Sequence, residues 1–164
     1  MKLKPEITVL IAVLFVAAGI AVTMATGLWQ TESDKIPKKL DTVVQTDGGQ
    51  TVQYDPADIR GSYTFKEISD LFGIPFEDLK AAFMLPEDGA ETFQVKSLET
   101  LLQGTEVEIG TSSVRMFVAY YLGIAYTPAE ENYLTEAAAA ILKEKGKMTP
   151  EQASYVETHT VAVE

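Results

Sequence analysis

The side chains that could do chemistry in this sequence are a single histidine and a set of paired carboxylates. His159 has Glu157, Thr158 and Thr160 beside it, the residue types of a proton relay, but a relay works only on a nucleophile that the fold carries to it. Proximity along the chain supplies none, so a solvated terminal histidine is expected. The pairs Asp55 with Asp58, Glu77 with Asp78, Glu87 with Asp88 and Glu130 with Glu131 could share a proton or hold a cation. Most of them stand at helix starts, where negative charge meets the positive end of the dipole. "DGGQ" and "EDGAE" lack the alternating oxygen ligands of a calcium loop, and neither a phosphate loop nor a dinucleotide fingerprint is present. With no cysteine, thiolate catalysis, disulfides and cysteine-held zinc or iron–sulfur clusters are excluded. The expectation is therefore no catalytic, cofactor-binding or metal-binding residue, no cofactor, and a protein that is not an enzyme.

The run "TFKEISDLFGIPFEDL", Thr64 to Leu79, has the spacing of a helix-turn-helix. A DNA reader must present donors to base edges from its second helix and neutralise phosphates around it. Here that helix opens with Glu77 and Asp78, and Lys80 is its one cation. Beyond Trp29 the chain holds 11 of its 13 Lys and Arg and 23 of its 24 Asp and Glu, a net of −12. Such a field repels phosphate backbones, so nucleic acid is not an expected partner and the motif reads as a packing unit.

Capping residues followed by proline recur at Asp55-Pro56, Thr127-Pro128 and Thr149-Pro150, and Thr64 to Glu67 forms a capping box. Gly73, Gly123 and Gly146 stand where left-handed caps would end helices. These signals predict helices over 64–72, 75–84, 97–103, 112–122, 128–145 and 150–157. Their apolar faces carry Phe65, Ile68, Leu71, Phe72, Leu79, Ala82, Phe83, Val114, Phe117, Val118, Tyr121, Leu122, Leu134, Ala138, Ile141 and Leu142 at helical spacing. "TVVQT" and "QTVQY" around Asp47-Gly48-Gly49 predict a minor β-hairpin. "ISDLFGIP" and "VAYYLGIA" form a faint internal echo, in register at Gly73 and Gly123.

Ile7 to Trp29 is a run of 23 residues without a charge. At about 1.5 Å per residue it reaches across a hydrocarbon core of roughly 30 Å. A cleaved signal peptide is the rival reading, with a small-residue site near Thr23 to Ala25, but its apolar region should be only about 7 to 15 residues long. Lys2 and Lys4 before the span favour an inside N-terminus, with the acidic domain outside the cytoplasm. Ala17, Ala21 and Ala25 form one row at spacing four and Gly19, Thr23 and Gly27 another. Small residues so placed let helices approach closely in lipid, and they are the expected partner-binding face. The organisation predicted is a basic tail at 1–6, a transmembrane anchor at 7–29, a stalk at 30–54 with the hairpin, and an acidic helical domain at 55–164. The fold class is mainly α.

The stretches "DIRGSYTFKEISDLFGIPFEDLKAAFMLPED" (Asp58 to Asp88) and "EIGTSSVRMFVAYYLG" (Glu108 to Gly123) resemble a poorly characterised bacterial membrane-anchored family. That family is in turn similar to the C-terminal helical extension of polyferredoxin-type, four-iron four-sulfur membrane proteins. The resemblance covers about half of the chain, which departs from the polyferredoxins in having one span and none of their cysteines. It implies a detached accessory module of a membrane electron-transfer complex, and no functional residue carries over from it. The expected function is thus a single-pass accessory or interaction protein of the cell membrane with a membrane-protein partner. The alternative is a tethered extracytoplasmic binding module for a small ligand or peptide.

Overall fold

The computed structural model describes residues 13–20, 22, 36–46, 49–103, 107–129 and 131–163. Two compact units result, Met1–Ile36 and Pro37–Glu164. In the first, residues 13–20 form helix α1, and residue 22 is also helical. Val13, Leu14, Phe15 and Val16 on it are 60–79% exposed. Among the described residues no helix is long and apolar enough to cross a membrane. The remainder of the expected 7–29 span lies outside them. Of the small-residue rows, Ala17 and Gly19 lie exposed on α1, and a Cβ added at Gly19 meets nothing within 4 Å. Ala21, Thr23, Ala25 and Gly27 fall outside the described residues.

The second unit is mainly helical. It opens with the predicted hairpin, β1 (Lys39–Thr46) antiparallel to β2 (Gly49–Tyr54), paired Thr46↔Gly49 and Val43↔Val52, with an irregularity between Lys39 and Val43. A 3₁₀ turn at Pro56–Asp58 follows, where the Asp55 side chain accepts from Ala57 N–H at 2.9 Å. Helix α2 (Phe65–Phe72) starts at the Thr64/Glu67 capping box and stops at Gly73, whose φ of +67° is left-handed. The turn into α3 (Phe76–Ala82) is fixed by Ser69 Oγ donating to the Ile74 carbonyl at 2.7 Å. The predicted helix-turn-helix spacing therefore produces a helical hairpin.

After α3 the chain returns through two 3₁₀ turns to the start of α2, where Phe65 N–H donates to Phe93 O and Val95 N–H to Tyr63 O. Helix α4 (Leu98–Leu101) and the longer α5 (Thr111–Leu122) follow, the latter ending at Gly123 with φ +75°. Then come β3 (Leu134–Thr135), α6 (Glu136–Lys145), α7 (Pro150–Thr158) and β4 (Thr160–Val161), with β3 and β4 parallel. Both helical hairpins, α2–α3 and α6–α7, are thus closed at their base by the chain returning to the residues before the first helix.

Two helical expectations are corrected. The helix expected over 128–145 begins at Glu136: Pro128 lies in irregular chain and Leu134 and Thr135 are extended. Leu134 N–H is taken by the His159 carbonyl at 2.9 Å, and Thr135, not Thr127, is the cap, accepting from Ala138 N–H at 3.0 Å. A partner strand 26 residues downstream overrides the local Thr-Pro signal. Gly146 has φ −71° and ψ 160°, an extended exit and not a left-handed cap.

The core gathers Ile68, Leu79, Phe83, Val114, Phe117, Leu142 and Val156, each no more than 1% exposed. Phe83 is its hinge, 5.4 Å from both Phe65 and Phe117 between ring centres. Burying one such side chain contributes about 1.5–3 kcal/mol. Leu71, Tyr121, Leu122 and Ile141 pack at the margin of this core.

Candidate functional site

The paired carboxylates are mostly consumed by structure. Asp55 caps its turn, and Asp58 Oδ2 accepts Lys38 N–H at 2.8 Å. Glu87 pairs with Lys80, and Glu77 lies 4.0 Å from the same ammonium. Among the described residues no three His, Cys, Asp or Glu side chains gather as a metal would require.

Asp78 behaves differently from its neighbours. It faces inward, 8% exposed, with Oδ2 accepting from the Tyr121 hydroxyl at 2.7 Å and Oδ1 from Lys145 Nζ at 2.7 Å. Burial pushes the carboxyl up, but the hydrogen bonds from Lys145 and Tyr121 outweigh it and its pKa is lowered. Tyr121 is pushed up to about 12 by burial and by the bond to Asp78. Each carboxylate oxygen thus has one donor from within the chain, and the cluster joins α3, α5 and α6.

His159 is corrected from a solvated residue to a half-buried one. Its ring stacks on Tyr155 at 3.8 Å and 8° and lies 5.2 Å from Tyr133. Nδ1 sits 2.9 Å from the Tyr155 carbonyl oxygen and 2.8 Å from Thr158 Oγ1. The chain end is held there because Leu134 N–H takes the His159 carbonyl.

Polar side chains instead converge around a cleft of about 390 Å³ at the N-terminal end of α5, lined by Glu99, Glu108, Gly110 to Ser113 and Glu131 to Tyr133. Its position follows from the local sequence. Gly110 starts α5 in an extended conformation without a side-chain cap, and Ser113 Oγ accepts Gly110 N–H at 3.4 Å. A Cβ built at Gly110 would lie 3.4 Å from Oε1 of both Glu99 and Glu108, ordinary contact distance, so both carboxylates lie beside this backbone position. On the opposite wall the extended stretch before β3 brings Glu131, Asn132 and Tyr133. Asn132 N–H donates to the Tyr155 hydroxyl at 3.1 Å, and the Tyr133 hydroxyl donates to Glu131 at 3.3 Å. The nearby Glu131 charge holds the Tyr133 phenol above its ordinary pKa.

Three exposed carboxylates, three hydroxyl-bearing residues of α5, an amide and a tyrosine line this space, with no basic residue among them. The lining therefore offers carboxylate and hydroxyl acceptors, hydroxyl and amide donors and one phenol ring. Of these residues the sequence reading singled out Glu131, and only as half of a surface pair. The rest gave no signal there, because a helix start near residue 112 says nothing of Glu99, Asn132 or Tyr133. Compared with known proteins, the chain matches no family model, no curated protein and no solved structure.

Proposed function

We propose that this chain is a membrane-tethered binding module whose helical unit takes a small ligand or peptide segment bearing an ammonium or guanidinium group in the cleft at the start of α5. The observation that carries this reading is the placing of Glu99 and Glu108 beside Gly110 in one cleft of about 390 Å³ with Glu131 and Tyr133. That volume suits a small ligand or a few side chains. Support for the tether is the uncharged run from Ile7 to Trp29 and the exposed apolar surface of α1. Full-length protein in mild detergent, titrated with lysine-containing and arginine-containing tripeptides, tests it by backbone amide shifts. The reading expects shifts at Gly110 to Ser113 and at Asn132 and Tyr133, weakened about tenfold when Glu99 and Glu131 are both changed to Gln. Shifts scattered over the acidic surface, or insensitive to those changes, would rule it out.

A second reading, an accessory subunit of a membrane complex, is favoured by the open surface over Gly19 on α1. There the contact is made by Ala17, Ala21 and Ala25 or by Gly19, Thr23 and Gly27. Ala21→Leu then reduces co-purification of a membrane protein, whereas the double Glu→Gln variant does not. An electron-transfer complex is the partner the family resemblance implies, and haem or iron–sulfur absorbance in the co-purified material would support it.

A further inference from the structure

The cleft wall that carries Asn132 and Tyr133 is gripped from behind by the end of α7. Asn132 N–H donates to the Tyr155 hydroxyl at 3.1 Å, across 23 positions of sequence. Two residues further on, Leu134 N–H donates to the His159 carbonyl at 2.9 Å. Tyr155 lies in α7 and His159 is its C-cap, one turn on and therefore on the same side of the helix. The β3–β4 ladder cannot do this work at the cleft, because β3 begins at Leu134 and is two residues long. Where the ladder stops, a phenol takes the next amide toward the cleft.

The phenol is fixed in its turn. The His159 imidazole lies on the Tyr155 ring at 3.8 Å and 8°, a face-to-face arrangement that aromatic pairs do not prefer by themselves. What holds it is Nδ1, 2.9 Å from the Tyr155 carbonyl oxygen and 2.8 Å from Thr158 Oγ1. A carbonyl can only accept, and this one has a second lone pair beyond the one that takes the His159 backbone N–H at 3.0 Å. Thr158 Oγ1 has the Ser154 and Tyr155 carbonyls within reach of its own proton, so at Nδ1 it accepts as well. An unprotonated Nδ1 would turn its lone pair on the Tyr155 oxygen. The proton therefore sits on Nδ1, and in the neutral ring Nε2 is the acceptor.

We infer that Tyr155 is a positioning residue for the cleft, holding the Asn132 wall through its hydroxyl, and that His159, fixed as the Nδ1–H tautomer, holds the phenol in place. For its effect on a ligand this rests on the binding reading above; the grip itself rests on α7 and the chain before β3. Asn132 and Tyr133 line the cleft, whereas Tyr155 and His159 are not among its lining residues. Tyr133 also meets the same imidazole, 5.2 Å between ring centres. The main chain of one wall residue and the ring of the next thus depend on two side chains outside the space they shape. The one histidine of the chain acts by orientation, with no proton transfer asked of it.

Nuclear magnetic resonance on the full-length protein in mild detergent tests both halves. In the wild type, couplings from the His159 ring protons to its two nitrogens, recorded with the ring neutral, read the tautomer directly. The Nδ1–H form is expected, and the Nε2–H form would overturn the role given to His159. Tyr155→Phe keeps the ring and its stack and removes only the hydroxyl. Exchange of the Asn132 amide should then quicken by about tenfold, while Leu134, whose acceptor is untouched, stays slow. Affinity for the lysine tripeptide should fall by about threefold to tenfold, with the Nδ1–H signature unchanged. His159→Phe keeps an aromatic ring without the Nδ1–H, should quicken Asn132 in the same direction, and decides the matter if Tyr155→Phe does not fold. Asn132 exchange as slow in the variants as in the wild type, Leu134 quickening equally in Tyr155→Phe, or tripeptide affinity unchanged while Asn132 quickens would each overturn the positioning role. A wild type that binds no tripeptide refutes the binding reading alone, since the tautomer and the exchange rates decide the grip without a ligand.

Discussion

Tyr121 on α5 donates to Oδ2 of Asp78 on α3 at 2.7 Å, across 43 positions of sequence. Lys145 at the end of α6 fills the other carboxylate oxygen. Three helices are therefore joined through one buried anion, whose cost of burial is offset only while both donors stay in place. Removing the phenol by Tyr121→Phe leaves a buried charge with one donor fewer. The expected loss is about 2 kcal/mol by chemical denaturation, with an unchanged denaturant slope.

The same cluster sets a pH dependence. Asp78 titrates below its ordinary range in the folded state, so the unfolded chain binds the proton more readily. The stabilisation is fully present above the ordinary carboxylate value and is lost as pH falls through the lowered folded value. Tyr121, raised to about 12, works in the opposite sense: its contribution holds below the ordinary phenol value and disappears as pH climbs toward about 12. Thermal melts across pH should show Asp78→Asn flattening the acid limb and Tyr121→Phe flattening the alkaline one. Parallel limbs in wild type and variants would refute the assignment.

Gly73 and Gly123 share a left-handed φ but not a neighbourhood. A Cβ at Gly73 meets nothing within 4 Å, whereas one at Gly123 would sit 2.9 Å from Lys147 Cβ and 3.1 Å from the Lys147 carbonyl oxygen. Lys147 is held there by its own N–H donating to Tyr120 O at 3.0 Å. Gly73→Ala should cost about 1–2 kcal/mol from backbone strain alone, and Gly123→Ala clearly more. Equal midpoints for the two variants would count against the packing of the end of α5 on Lys147 in the link between α6 and α7.

Thr135 is 1% exposed and serves two elements at once. Its hydroxyl oxygen accepts from Ala138 N–H at 3.0 Å, starting α6, and its proton goes to the Ala82 carbonyl at the end of α3. Thr135→Val keeps the shape and removes both bonds. The expected cost is roughly 2–3 kcal/mol, the sum of a lost cap and a buried carbonyl left unpaired, read as a lower melting temperature. A loss of a few tenths would show that the α3–α6 contact does not depend on it.

At the cleft, the carboxylates act through charge and should respond to salt. Binding of a lysine tripeptide is expected to weaken steadily between low and physiological ionic strength, and Glu108→Lys is expected to abolish it. Glu87→Lys, at a carboxylate already paired with Lys80, should leave it unchanged, as titration calorimetry would show.

The sequence by itself determined what is local or additive: the acidic balance, the absence of thiol chemistry, the helical class, the capping boxes at Thr64 and Thr149 and the left-handed stops at Gly73 and Gly123. Each depends on residues within about one helical turn of one another, so spacing alone reveals it. It also disclosed Phe65, Phe83 and Phe117 as core positions, each on the apolar face of its own helix. Tertiary structure decided the rest. Asp78 looked like one more carboxylate at a helix start until α5 and α6 brought Tyr121 and Lys145 to it. Thr127-Pro128 looked like a helix start until the C-terminal strand claimed Leu134 and left Thr135 as the cap. The cleft joins Glu99 and Glu108 to a wall more than 20 residues away, and neither side signals the other. Long-range pairing wins in these places because a buried hydrogen bond or ion pair outweighs the few tenths of a kcal/mol that separate local propensities.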